Sequence, residues 1–202
     1  MKYSCERVAG TILLVGLTQF ILFLQVAEDL YPKYSTSQNY ISDLGATCSP
    51  AFDKCSIFQP SSFIFNSSTI LLGILVIISA YFLQKSFNRK LFSIFILLAG
   101  IGVLGVGLFP ETTGIIHLIV AFIGFIFMGL AALMSYRIVQ PPLSYASIIL
   151  GGLTLIDLIL FTSGNYFGLG IGGMERMIVY PAIVWGLSFA GFLLHQFTET
   201  KS

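Results

Sequence analysis

Six times along the chain the mixture of polar and apolar positions gives way to a long, predominantly apolar run, and the runs are separated by stretches rich in Pro, Gly, Asn or charged residues. The runs cover approximately residues 8–27, 63–83, 91–108, 114–136, 144–162 and 177–197. Each can cross a hydrocarbon layer of roughly 30 Å, which takes about 20 helical residues. Backbone N–H and C=O groups in lipid must be satisfied within their own segment, and the runs lack the two-residue alternation of a barrel strand. The pattern therefore predicts an all-α fold: one polytopic domain over residues 1–202, built as a bundle of six transmembrane helices. The first run follows "MKYSCER" and lacks a small-x-small cleavage site before "EDLYPKY", so it is expected to stay as a helix.

Composition sharpens this reading. Hydrophobic residues make up 56% of the chain and charged ones 9%, against about 25% charged in soluble domains. This is an integral membrane protein, expected in the cell membrane. The net charge is +1 and the ten Lys and Arg residues are scattered, which excludes the clustered basic surface that a nucleic-acid partner requires. Membrane lipids are the expected partners, with another membrane protein or a second copy of the chain as further candidates.

An even number of helices puts both termini on one side. Lys2, Arg7, Lys85, Arg89, Lys90, Arg137 and Lys201 fall on that side, against Lys33, Lys54 and Arg176 on the other. The positive-inside rule then predicts cytoplasmic termini. It puts the long connection of residues 28–62 outside, where its length and aromatic content suggest a cap folded over the bundle. Six of the nine acids share that outer side: Glu28, Asp29, Asp43, Asp53, Glu111 and Glu175.

Within the cap, "CSPAFDKC" sets Cys48 and Cys55 seven apart on a side where oxidation is permitted. A disulfide is expected, with two unpaired thiols as the alternative and zinc disfavoured for want of a nearby His. Cys5 is left as a reduced thiol on the terminal side. "NSS" at Asn66 matches a glycosylation acceptor but sits at a helix start. Gly100, Gly102, Gly105 and Gly107, and the series Ala182, Gly186 and Ala190, predict faces where helices approach closely in lipid; a glycine hinge is the functional alternative.

Four polar clusters converge by topology on the outer boundary: "YPKYSTSQNYISDLG", "FPETTGIIH", Asp157 in "LTLIDLILF", and "GIGGMERM". His117 should lie one helical turn inside the fourth helix, where the macrodipole favours the neutral imidazole. It is read either as a histidine bonded between helices or as an acid/base. The second histidine, His195, lies at the opposite face, so no metal site is expected. Glu111 is read first as a helix-start acid, with Thr112 or Thr113 as the cap, and second as a catalytic partner of His117. Arg176, beside Glu175, is expected to pair with Asp157 or Glu111 as a latch, or to clamp an anionic group such as a lipid phosphate. Asp157, roughly 7 Å deep, is read either as a functional-site acid within the membrane, with Arg176 or His117 as its partner, or as a buried acid kept neutral and bonded to a neighbouring helix.

The order of these motifs resembles the uncharacterised six-helix membrane family called domain of unknown function 998, over nearly the whole chain. The matching positions are Tyr31, Pro32, Ser42, Asp43, Leu44 and Gly45 in the cap, Pro110, Glu111, Gly114 and His117 at the fourth helix, and Gly172, Gly173, Glu175 and Arg176 before the sixth. The resemblance implies a shared fold and an outer-face site that includes Tyr31 and Asp43, and it carries no reaction. The cysteine pair stands outside that pattern.

No G-x-S-x-G elbow, H-E-x-x-H, P-loop or dinucleotide fingerprint occurs, so no cofactor is expected and no nucleophile is assigned. Proton-coupled transport is disfavoured, because the cytoplasmic halves of the helices lack ionisable groups. Two readings stand: a structural, accessory or lipid-binding protein, and an outer-leaflet lipid hydrolase or transferase with His117 and Glu111 as acid/base and Arg176 on the headgroup.

Overall fold

A computed structural model of the chain describes residues 2–49 and 54–195, with side chains for residues 5–48 and 54–195. Every apolar run is a helix: α1 (Lys2–Leu30), α2 (Ser61–Phe87), α3 (Lys90–Leu108), α4 (Ile115–Ser135), α5 (Leu143–Thr162) and α6 (Gly170–His195). All six are long and apolar enough to cross a membrane. Asp53, Lys201 and the last two residues of the sixth predicted run lie outside the described residues.

Each helix packs on the next in sequence, and α6 returns to close the ring against α1; α4 also touches α6 across the bundle. Leu22, Phe63, Ile115 and Ile159 are among the most exposed side chains, an apolar exterior suited to lipid rather than water. The interior forms two clusters. Toward the termini, Leu13, Leu83, Phe92, Trp185 and Phe189 pack together, and the Trp185 indole N–H donates to the Ser135 hydroxyl at 2.9 Å. Toward the cap, Leu17, Phe20, Leu24, Phe65 and Ile183 meet Tyr31, Ile41 and Leu44 of the cap.

Close helix approach rests on glycine, as expected. A Cβ on Gly102 would lie 2.2 Å from the Gly124 backbone N, one on Gly105 would strike Val120, and one on Gly107 would meet the Asn66 carbonyl at 2.8 Å. In α6, Gly186 admits Leu17 while Ala182 and Ala190 are buried. These positions are packing surfaces.

The cap contains a 3-10 turn at Ser42–Leu44 and a hairpin of β1 (Thr47–Ser49) with β2 (Lys54–Ser56). Cys48 and Cys55 stand directly opposite each other in the hairpin and form the disulfide. Cys5 is a free thiol. Asn66 lies within α2, half-buried, with its amide directed to the Gly45 carbonyl and the Ser62 hydroxyl.

The sixth helix departs from expectation by starting at Gly170, well before residue 177. Hydropathy ends the run at the Glu175–Arg176 pair, but both side chains are buried in the second turn of α6. They are tolerated there because the cap supplies their partners.

Replacing Gly102 with Val forces α3 and α4 apart and is expected to cost about 1–3 kcal/mol, read as a lowered thermal unfolding midpoint in detergent. Gly152→Ala, at a position with no neighbour within 4 Å, should leave that midpoint unchanged.

Candidate functional site

Arg176 organises the cap end of the bundle. Its Nη1 donates to the carbonyls of Thr36 at 2.9 Å, Asn39 at 3.3 Å and Gly172 at 3.0 Å. Its Nη2 pairs with the Glu28 carboxylate and donates to the Tyr34 hydroxyl at 2.7 Å. The Tyr34 hydroxyl in turn donates to the Tyr40 carbonyl at 2.8 Å; burial raises this phenol, so it stays neutral and able to donate. The expected pairing of Arg176 with Asp157 or Glu111 is therefore corrected to Glu28. The physical reason is reach: Glu28 and the cap carbonyls surround the second turn of α6, while Glu111 is held elsewhere.

Glycines make that approach feasible. A Cβ on Gly170 would sit 2.1 Å from the Ser37 carbonyl, and one on Gly172 would sit 1.9 Å from the Asn39 carbonyl. The Gly172 N–H donates to Ser37 at 3.0 Å. The run "GIGG" is thus a bare helical face on which the cap backbone rests. One turn on, the Glu175 carboxylate accepts the backbone N–H of Ile41.

Asp43 and Tyr31 shape the cap from within. Asp43 accepts from the Asn39 amide at 3.0 Å and the Tyr40 N–H at 2.9 Å. Burial pushes its carboxyl up, opposed by those bonds. Thr47 donates to the Asp43 carbonyl, so the Tyr31 hydroxyl donates to Thr47. Tyr31 is buried against Tyr34 and Phe58. Neither Asp43 nor Tyr31 lines the cleft described below.

Glu111 belongs to a 3-10 turn ahead of α4 (Glu111–Thr113), with Gly114 as the N-cap residue of α4 and no side-chain cap. Gly114 takes φ +58° there, which is why the position is Gly. Thr113 bonds back to Pro110 instead of capping. The Glu111 carboxylate accepts the Ser42 hydroxyl at 2.7 Å and the Cys48 N–H at 3.3 Å. The helix-start reading is replaced by a tie between the α3–α4 connection and the cap. Burial raises the Glu111 carboxyl above its ordinary range, and nearby Asp43 adds to this.

His117 holds the Phe109 carbonyl through Nδ1 at 2.7 Å. A carbonyl only accepts, so Nδ1 carries the proton, and Nε2 is the atom left for another partner. Asp157 is buried in α5 with Oδ2 unpaired among the described residues. It bonds neither Arg176 nor His117, which corrects that expectation: Arg176 is taken by Glu28, Tyr34 and the cap carbonyls, and His117 by the Phe109 carbonyl.

Ser42, Glu111, His117 and Glu175 nevertheless meet at one cleft of about 320 Å³, whose remaining walls include Tyr40 of the cap, Leu118, Ala121 and Phe125 of α4, and Leu158 and Phe161 of α5. A second void of about 90 Å³ shares Ser42, His117, Ala121, Phe125 and Glu175 with the cleft and continues to Leu17, Leu72, Val103 and Met128. A third, about 50 Å³, shares those last four and ends at Trp185 and Phe189. From Glu175 to Trp185 along α6 is roughly 15 Å at 1.5 Å per residue. Among the described residues no three His, Cys, Asp or Glu side chains converge to hold a metal ion.

The residues that sequence reasoning passed over are Glu28 as the partner of Arg176, the cap carbonyls of Thr36 and Asn39, and Ala121 and Phe125 on the passage walls. An acid closing an apolar run, as Glu28 does, was the available signal. Backbone carbonyls carry none.

Arg176→Met should strip the cap of its anchor and leave the partly buried Glu28 without its partner, at an expected cost of about 2–4 kcal/mol, below that of a fully buried pair. Differential scanning of the purified protein would read this as a large fall in unfolding midpoint. Arg176→Lys should recover little, since an ammonium cannot span both the carbonyls and the carboxylate. An unchanged midpoint in the Met variant would remove the latch.

No curated protein and no solved structure matches this chain. Residues 14–191 match the family described as "Protein of unknown function (DUF998)". That match covers most of the chain and agrees with the six apolar helices, so the protein belongs to this family of membrane proteins.

Proposed function

We propose that the protein binds a membrane lipid from the cap side, with the headgroup among Ser42, Glu111, His117 and Glu175 and the hydrocarbon tail in the passage beneath. The observation that carries this is a chain of shared walls, from a polar-rimmed cleft to a void beneath it and from that void to a second, apolar one. An amphiphile is the ligand class with one polar end and an apolar remainder to fill such a path.

The rim chemistry narrows the headgroup. Arg176 is committed to Glu28, Tyr34 and three carbonyls and lines neither the cleft nor the first void. Two carboxyl groups and an imidazole Nε2 remain, and these favour a headgroup that donates hydrogen bonds, hydroxyl or ammonium, over a phosphate. A monoacylglycerol fits this description. The cap is read as extracytoplasmic on the distribution of Lys and Arg, which puts the lipid in the outer leaflet of the cell membrane. The role is that of a lipid-binding or accessory protein.

Native mass spectrometry of the detergent-purified chain, titrated with monoolein and with oleoyl lysophosphatidate, tests the reading. Monoolein should bind preferentially. Ala121→Trp, which fills the wall common to the cleft and the first void, should weaken it about tenfold, equivalent to about 1.4 kcal/mol. Retained monoolein binding in a folded Ala121→Trp protein would sink the proposal.

One observation favours a second reading, an outer-leaflet lipid hydrolase or transferase. The Ser42 hydroxyl donates to Glu111 inside the same cleft as the free Nε2 of His117, an arrangement in which a carboxylate could draw the proton from an attacking hydroxyl. On this reading the wild-type protein releases fatty acid from monoolein and Ser42→Ala does not. Absence of release by the lipid-loaded wild-type protein would leave binding alone.

A further inference from the structure

At the opposite end of the bundle, a pocket of about 240 Å³ lies between the α2–α3 connection and the end of α4. Arg89, Lys90 and Arg137 line it and no acid does. All three are exposed, and none of their side chains has a hydrogen bond or ion pair among the described residues. The floor is apolar: Phe92, which is fully buried, and Met134. Arg89 is the N-cap residue of α3 and makes no side-chain cap bond, so the N-terminus of that helix, whose first N–H groups have no partner within the helix, lies beside the cations without a side-chain cap. Tyr136, half exposed beside Arg137, is of the type that gathers at the level of lipid headgroups.

We propose that this pocket binds the phosphate of an anionic phospholipid in the leaflet on the side of the termini. Three unpaired cations and a helix N-terminus supply the charge and donors that a phosphate diester takes. The apolar floor meets the glycerol and the first part of the acyl chains, which free phosphate cannot use. This site is separate from the cap-side cleft in residues and in charge: that rim carries carboxylates, this one guanidinium and ammonium groups. The protein would thus be held between two leaflets by contacts of opposite chemistry.

The test titrates the full-length protein in detergent with dioleoyl phosphatidylglycerol, dioleoyl phosphatidylcholine and inorganic phosphate, reading bound species by native mass spectrometry. Phosphatidylglycerol should bind preferentially and weaken as salt rises. The combined Arg89→Gln, Lys90→Gln and Arg137→Gln protein should lose roughly fivefold in affinity for each charge removed, with an unfolding midpoint near that of the wild type because these side chains anchor nothing in the fold. Ala121→Trp, which blocks the cap-side passage, should bind phosphatidylglycerol as the wild type does. Equal binding of the two phospholipids, or undiminished phosphatidylglycerol binding by the triple variant, would overturn the proposal. Inorganic phosphate binding as tightly as the lipid would also overturn it, in favour of a free-anion site. If the triple variant does not fold, the lipid preference and its salt dependence in the wild-type protein decide the matter.

Discussion

The structure turns on a guanidinium buried where neither lipid nor water can satisfy it. A cation left unpaired at that place would cost several kcal/mol, so Arg176 in α6 has to be met by other parts of the chain. It is met by Glu28 from the last turn of α1 and by carbonyls of the cap. Those contacts join residues well over a hundred positions apart, and they bring the cap down across the bundle instead of leaving it a loose loop. Gly170 and Gly172 follow from the same constraint, because any side chain there would occupy the space of the cap carbonyls. Once the cap is seated, the Ile41 N–H reaches Glu175 and the 3-10 turn brings Ser42 to Glu111.

The latch also decides the character of the cleft. Having used the nearby cation, it leaves Glu111, Glu175 and His117 facing a space with no positive side chain on its walls. Burial keeps the Glu111 carboxyl above its usual range, which reduces the repulsion between acids in a small volume. A rim of acceptors over an apolar passage is chemically distinct from the anion clamp that the Arg–Glu pair suggests when read alone.

Packing explains why a passage exists at all. Where glycines meet, as Gly102 does with Gly124, α3 and α4 come together without intervening side chains. Across the ring, α4 and α6 barely touch, and the space between them is lined by Ala121, Phe125 and Met128 on one side and Val179 and Ala182 on the other. In lipid no hydrophobic force collapses such a gap, so a line of small voids can persist along the bundle.

Six helices, the integral membrane class, the cap, the disulfide pair and the close-approach role of the α3 glycines are legible in the order of residues. Each of these follows from local or near-local constraints: the hydrogen-bonding demand of backbone in lipid, cysteine spacing, and residue size on a helix face. Convergence of the Ser42, Glu111, His117 and Glu175 motifs on one end was also legible, because an even helix count and loop order place them there. The pairing of Arg176 with Glu28 and not with Asp157 or Glu111, the start of α6 at Gly170, and the place of Asp43 and Tyr31 in the cap and not on the cleft depend on the folded chain. The reason is that a buried charge chooses its partner by three-dimensional reach, and several of the groups that satisfy Arg176 are backbone carbonyls, which every residue possesses and no sequence pattern marks.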